Sequence, residues 1–222
     1  MESLLFAFAV AAYPVVGFAW QTLRVWRRYG IWPVVFNREA APGQRALGFL
    51  ADTLFLGMLV LAGLHVAVGA DALGVWRLPA GLRMAGWMLL ASGTVVTVVA
   101  QRHMGASWRV GIDDRPTDLV TTGLFRYVRN PIFTGMLVFT AGVVVLSPAW
   151  WSIAIWILTA LGLRLQVAYE EQHLMGLHGG AYLTYAARAG RFCPFVGRLR
   201  PVPSARSARA PASLQGGSHE TQ

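Results

Sequence analysis

The sequence predicts an all-α, polytopic integral membrane protein with about five transmembrane helices. Three observations predict it. Hydrophobic residues make up 55% of the 222 and charged residues 13%, and that charge content is about half the share usual in a soluble domain. Five apolar stretches, 4–25, 47–70, 78–100, 131–147 and 149–169, reach or approach the roughly 20 residues that cross a bilayer core. All 19 basic residues are arginine, and they cluster after the first, third and fifth stretches. The positive-inside rule then sets the N-terminus outside and the C-terminus in the cytoplasm, which an odd number of spans requires. The net charge of +9 fits membrane topology and anionic lipid. With no soluble basic module, no nucleic-acid partner is expected. The single Cys193 excludes an intramolecular disulfide and a cysteine metal cluster.

Taken in order, 4–25 is too long for a signal peptide and lacks a cleavage site, so it reads as a retained span. Its Pro14 and Gly17 are tolerated in membrane helices. The arginine- and tryptophan-bearing link 26–46 belongs at the interface. Asp52 in the second span is placed to pair with Arg45, and His65 reads as an interfacial residue. Span 78–100 carries Gly86 and Gly93, and small residues allow close helix approach. The polar segment 101–118 contains His103 and the turn-forming Asp113-Asp114-Arg115-Pro116 run. No second His or Cys lies at ligand spacing from His103, so no metal site is expected. Spans four and five make a hairpin through Ser147-Pro148. Span five runs on into Arg164, Glu170 and Glu171, and Gly179-Gly180 ends it. A short amphipathic helix, 181–189, follows. The domain is expected to cover 1–200, with 201–222 a disordered tail low in bulky residues.

The chemistry concentrates in LVTTGLFRYVRNPIFTG, residues 119–135. Asn is a good N-cap and Pro suits the first helical position, so Asn130-Pro131 reads as a helix start. A helix N-terminus carries partial positive charge and unpaired N–H groups. Arg126 and Arg129 beside it make an anion-accepting corner next to an apolar span; the plainer reading is an interfacial anchor. Arg164 and Glu171, seven apart, share one helix face. Ionisable residues in or just below a membrane helix are functional candidates. Acids near a helix C-terminus oppose the dipole, and adjacent carboxylates repel. One of Glu170 and Glu171 is therefore expected to contact a ligand and the other to pair with an arginine, Arg188 or Arg129.

Four motifs in this order resemble the isoprenylcysteine carboxyl methyltransferase family, within the wider phospholipid methyltransferase group. They are Gly123 with Phe125, Arg129-Asn130-Pro131-Ile132-Phe133-Thr134-Gly135, Glu170-Glu171-Gln172-His173-Leu174, and Tyr182 with Tyr185 before Pro194. The resemblance covers about 100–196. Asn130 stands where the family has His, and Phe133 where it has Tyr. The resemblance implies an S-adenosyl-L-methionine site on the cytoplasmic side of the C-terminal half. Carried over by match, the cofactor-binding residues are Thr117, Asp118, Leu119, Val120, Gly123, Phe125, Arg129, Asn130, Pro131, Ile132, Phe133, Glu170 and Glu171. Arg164, holding the acceptor, and Glu171 are the implied catalytic residues. The implied partner is a lipophilic or lipid-modified substrate entering from the bilayer, in what is expected to be a bacterial inner membrane; acceptor and oligomeric state stay open. The alternatives are an NADPH-dependent membrane reductase of the sterol-reductase kind, which has a similar Arg-x-Pro element, and a non-enzymatic transport or assembly protein.

Overall fold

The computed structural model describes residues 1–34, 42–110 and 118–199. Arg38, the Asp113–Pro116 run, Thr117 and the tail beyond Leu199 lie outside the described residues.

The first rod comprises α1 (Glu2–Pro14), a π-helical turn (Val15–Ala19) and α2 (Trp20–Tyr29). Proline removes an amide donor and crowds the carbonyl four residues back. The wider π turn directly after Pro14 absorbs that defect without ending the rod. Next come α3 (Pro42–Ala67) and α4 (Ala80–Met104), then α5 (Pro131–Leu146), α6 (Trp150–His178) and α7 (Gly180–Ala186). Short 3-10 turns cover Asp71–Leu73, Gly105–Ser107 and Gly123–Arg126.

Four helical segments are long and apolar enough to cross a membrane: Glu2–Tyr29, Gly43–Ala67, Ala80–Ser107 and Trp150–His178. The fifth expected span, α5, has 16 residues, a rise of about 24 Å. It still runs between the same two ends of the bundle as its neighbours. At one end, Trp76 N–H donates to the Pro148 carbonyl, Trp151 Nε1 donates to the Leu73 carbonyl, and Glu2 pairs with Arg83. At the other end, Gln21 Nε2 donates to the Gln101 carbonyl and Val110 N–H to the Pro33 carbonyl. Exposed tryptophans mark both ends, Trp76 and Trp150 at the first and Trp20, Trp26 and Trp32 at the second. That is the aromatic-belt distribution of a membrane-spanning bundle.

A layer of Phe6, Val10, Tyr13, Met58, Ala62, Leu90, Phe139 and Val143 forms the core. Tyr13 stacks on Phe139 with ring centroids 3.8 Å apart, and its hydroxyl shares a 3.1 Å hydrogen bond with Thr97. His65 is buried rather than interfacial: Nε2 lies 2.6 Å from Ser147 Oγ, which ties α3 to the α5–α6 turn. The expected Arg45–Asp52 pair is absent among the described residues, and both side chains are exposed.

The tightest contact in the bundle joins α4 to α5. Gly86 and Gly93 are seven apart on α4, as are Gly135 and Gly142 on α5, so each pair makes one helical stripe. The stripes meet antiparallel, backbone against backbone. A Cβ added at Gly142 would stand 2.7 Å from Leu90 N and 2.9 Å from Gly86 O; one at Gly93 would stand 2.7 Å from Gly135 O. Small residues permit such approach, and between lipid-soaked helices packing rather than water exclusion drives association.

Gly142→Ala is therefore expected to lower the thermal midpoint, at a cost of about 1–3 kcal/mol for overpacking. Gly57→Ala on α3, where nothing lies within 4 Å of the new methyl, should leave it unchanged or raise it. Thermal unfolding in detergent, followed by tryptophan fluorescence, separates the two.

Candidate active site

The contact between α4 and α5 fixes where α5 begins. Asn130 occupies the N-cap position and Pro131 the first turn. The Asn130 side chain does not cap: Nδ2 donates to the Arg191 carbonyl at 3.1 Å. Thr134 N–H, bonded to Asn130 O at 3.0 Å, is the first amide of the helix with an intrahelical partner. The amides of Ile132 and Phe133 precede it, so the first turn keeps the donors that a helix N-terminus offers an anion.

Around this start folds a strap, residues 187–199. Arg129 N–H donates to Gly190 O and Gly190 N–H to Tyr127 O, at 2.8 and 2.9 Å. Thr134 Oγ1 donates to the Phe192 carbonyl at 2.7 Å. Arg129 anchors the arrangement. Its Nε donates to Glu171 Oε1 at 3.0 Å, Nη1 to the carbonyls of Ala186 and Ala189 at 3.0 and 2.7 Å, and Nη2 to Gly197 O at 3.0 Å. The guanidinium thus reaches α6, α7 and both ends of the strap at once. Arg191 closes the cluster, with Nη2 2.8 Å from Glu171 Oε2. Arg129 and Glu171 are both buried. A buried charge needs this degree of pairing, because an isolated one costs several kcal/mol in desolvation.

One half of the expected division is seen, the pairing of one acid with an arginine. Glu171 pairs with Arg129, one of the two arginines named from the sequence, and also with Arg191, which the sequence reading did not single out. Arg188, the other named candidate, is exposed. Both Glu171 oxygens are held by arginines, so no bound cation is needed to neutralise it. The dipole conflict also disappears, since α6 continues to His178, about two turns beyond the pair. Glu170 is half-buried and accepts from Gln166 Nε2 at 2.9 Å. Arg164, seven residues before Glu171 and so roughly 10 Å higher along α6, is exposed on the helix surface and has no ion-pair partner among the described residues. The structure does not bring Arg164 into the arginine–glutamate cluster.

Gly123 has φ +61°, a left-handed conformation, and a Cβ there would collide with the His103 ring. Leu124 N–H donates to His103 Nδ1 at 3.3 Å, tying the Gly123–Arg126 turn to the end of α4. Phe125 is buried, and its carbonyl accepts from the Tyr185 hydroxyl at 2.8 Å. Burial, reinforced by the Glu171 charge, pushes the Tyr182 phenol up to about 12, and burial raises Tyr185 too. Both stay protonated at neutral pH and act as donors rather than bases. Asp118 is exposed; Leu119, Val120, Ile132 and Phe133 are half-buried, and Pro131 is buried. Thr117 lies outside the described residues. Missed by the sequence reading, besides Arg191, is Gln101, fully buried one turn past Thr97, whose side-chain N and O have no hydrogen-bond partner among the described residues. No motif marks it; only burial reveals it.

Comparison with known proteins agrees with the motif reading. The sequence pattern of the phospholipid methyltransferase family matches residues 82–180. The solved structure of the eukaryotic intramembrane Ras methyltransferase, isoprenylcysteine carboxyl methyltransferase, matches with a TM-score of 0.54 and 16% identity. The match covers 88% of this chain and 70% of that one, and it shows a shared fold. No curated protein matches the sequence.

Arg129→Lys is expected to cost about 3–5 kcal/mol, the penalty for breaking a buried ion pair, because Lys cannot reproduce the fork. The strap should then become cleavable at Arg191 and Arg198 under limited trypsin digestion, read by mass spectrometry, while the wild-type strap stays protected. Residues 82–180 are thus similar in sequence to the phospholipid methyltransferase family, and the helical membrane fold that carries the Arg129 corner is shared with the intramembrane Ras methyltransferase.

Proposed function

We propose that the chain is an S-adenosylmethionine-dependent methyltransferase of the cell membrane, acting on a lipophilic acceptor that enters from the bilayer. The observation that carries this reading is the divided acidic pair beside an uncapped helix start. Glu171 is held by Arg129 and Arg191, which leaves Glu170 as the acid of that turn without a cationic partner among the described residues, and leaves the first amides of α5 for an anionic group. A ligand with both an ammonium and a carboxylate, as this cofactor has, fits that donor and acceptor set. When bound, the cofactor supplies an electrophilic methyl on a sulfonium.

The chain's own residues then bind, orient and exclude water. Glu170 accepts from the ammonium or the ribose hydroxyls. The Ile132 and Phe133 amides receive the carboxylate. Phe125, Pro131 and Phe133 supply apolar walls that keep water from the reacting methyl. Glu171 acts as a positioning residue: through Arg129 it fixes the strap over the helix start. Arg164, exposed on α6 and higher in the span, meets an acceptor arriving from lipid. A carboxylate acceptor is already ionised at neutral pH and needs no base; Arg164 would hold it through two parallel hydrogen bonds. Methyl transfer is then mainly a matter of positioning. In this reading the N-terminus is outside and the site cytoplasmic, in a bacterial inner membrane.

Titration of purified protein with S-adenosylmethionine, its demethylated product and NADPH, followed by thermal stability, tests the reading, since a ligand that binds only the folded state raises stability. The first two should raise the midpoint and NADPH should not. Glu170→Gln should weaken cofactor binding by roughly 1.5–3 kcal/mol, the worth of a charge-assisted hydrogen bond, with little loss of stability; Glu171→Gln should mainly lose stability. Equal, near-wild-type cofactor affinity in both variants overturns the site. Arg164→Lys should lose turnover and keep cofactor binding. A reporter fused after Gly74 should report the outside and one after Arg115 the cytoplasm.

A further inference from the structure

At the end of the bundle opposite the Arg129 corner lies a groove of roughly 440 Å³, remote from the residues of the proposed methyltransferase site. The ends of α1, α3, α4 and α5 surround it. Two acids and two arginines line it, Glu2 with Arg83 and Asp71 with Arg77, and Trp76 and Trp87 stand in its wall. Its floor is apolar, formed in part by Phe6, Val145 and Leu146. We propose that this groove binds the headgroup of a zwitterionic phospholipid, the phosphodiester on the arginines and the ammonium on the acids. The proposal uses the membrane reading of the helices and is independent of methyl transfer.

Charge selects the ligand class. The four ionised groups sum to zero, two of each sign. A net anionic headgroup would match its phosphate on an arginine but leave the groove with one uncompensated negative charge. A zwitterion places opposite charges a few ångströms apart and offsets both signs. The resident ion pairs are no obstacle. The Asp71 and Arg77 side chains are 77% and 87% exposed, and those of Glu2 and Arg83 51% and 44%. Exposed pairs contribute about 0–1 kcal/mol, so they re-partner readily onto a ligand that brings both charges. Arg77 holds Asp71 at 3.1 Å through one nitrogen, which leaves other guanidinium donors for a phosphate.

Position selects a lipid over a soluble zwitterion. Trp76 packs edge-on against Trp150 at 5.1 Å, at the end of the spans where indole rings sit at headgroup depth. The volume suits a headgroup and glycerol rather than whole acyl chains, which would run down the lipid-facing side of α4, where Leu82, Met84 and Met88 are exposed. His65 lines the groove but is already tied to Ser147, so it shapes the wall and is not assigned a ligand.

The full chain in detergent is titrated with short-chain phosphatidylcholine, short-chain phosphatidylglycerol, free phosphorylcholine and inorganic phosphate. Native mass spectrometry counts bound molecules, and thermal stability is followed in parallel. The choline lipid should bind at least about tenfold tighter than the glycerol lipid, a factor worth about 1.4 kcal/mol. Arg83→Gln should remove that binding, while Glu2→Gln, which leaves the groove net positive, should reverse the preference toward the anionic lipid. A purely structural ion pair would weaken both lipids alike in either variant. Arg77→Gln provides a second test should Arg83→Gln fail to fold. Preference for the anionic lipid in the wild type, or unchanged preference in Glu2→Gln, overturns the proposal. Binding of phosphorylcholine as tight as the lipid overturns the lipid assignment. S-adenosylmethionine affinity measured on the same variants should not change, so failure here is distinct from failure of the methyltransferase reading.

Discussion

The buried guanidinium of Arg129 is the constraint on which the C-terminal half depends. A planar cation withdrawn from water must have its donors satisfied in fixed directions. Here those directions specify α6 through Glu171, α7 through Ala186, and the strap through Ala189 and Gly197. No apolar side chain could impose that set of distances. Residues separated by up to 68 positions in sequence are brought to one point because one charge needs them all. Arg191 then neutralises the remaining Glu171 oxygen, so the strap supplies both a ligand to the cluster and part of its cover.

The α4–α5 glycine contact does the complementary work inside the span. Apolar surface gives little net drive between helices in lipid, so shape must supply the association. Gly86, Gly93, Gly135 and Gly142 supply it by removing side chains along one line. Their register sets Gly135 against Thr97, and therefore the start of α5 one turn further along, level with Gln101. A slip of one helical turn would carry Arg129 away from Glu171. Packing deep in the span and charge pairing at its end thus depend on each other, which explains how a 16-residue helix is held at a defined depth.

The two ends of the bundle differ in electrostatic character. At the Arg129 end the charges are buried, multiply bonded and rigid. At the Glu2–Arg83 end they are exposed and singly paired. Under the proposed function, the dense pairing would suit a site that positions reacting groups, and the looser pairing at the other end would suit the proposed exchange with lipid.

By itself the sequence determined that the chain is helical and membrane-spanning, since composition and apolar length depend only on transfer from water to hydrocarbon. It also located the helix start at Asn130-Pro131, the end of α6 at Gly179 and the pairing of one of the two adjacent glutamates with an arginine, because each follows from local rules of capping, breaking and repulsion. It did not reveal that Asn130 bonds the strap instead of capping, that Arg191 is the second partner of Glu171, or that His65 is buried against Ser147. Those are long-range facts. They depend on which helices touch and in what register, and only the tertiary structure, through glycine contacts and the geometry of one buried guanidinium, decides that.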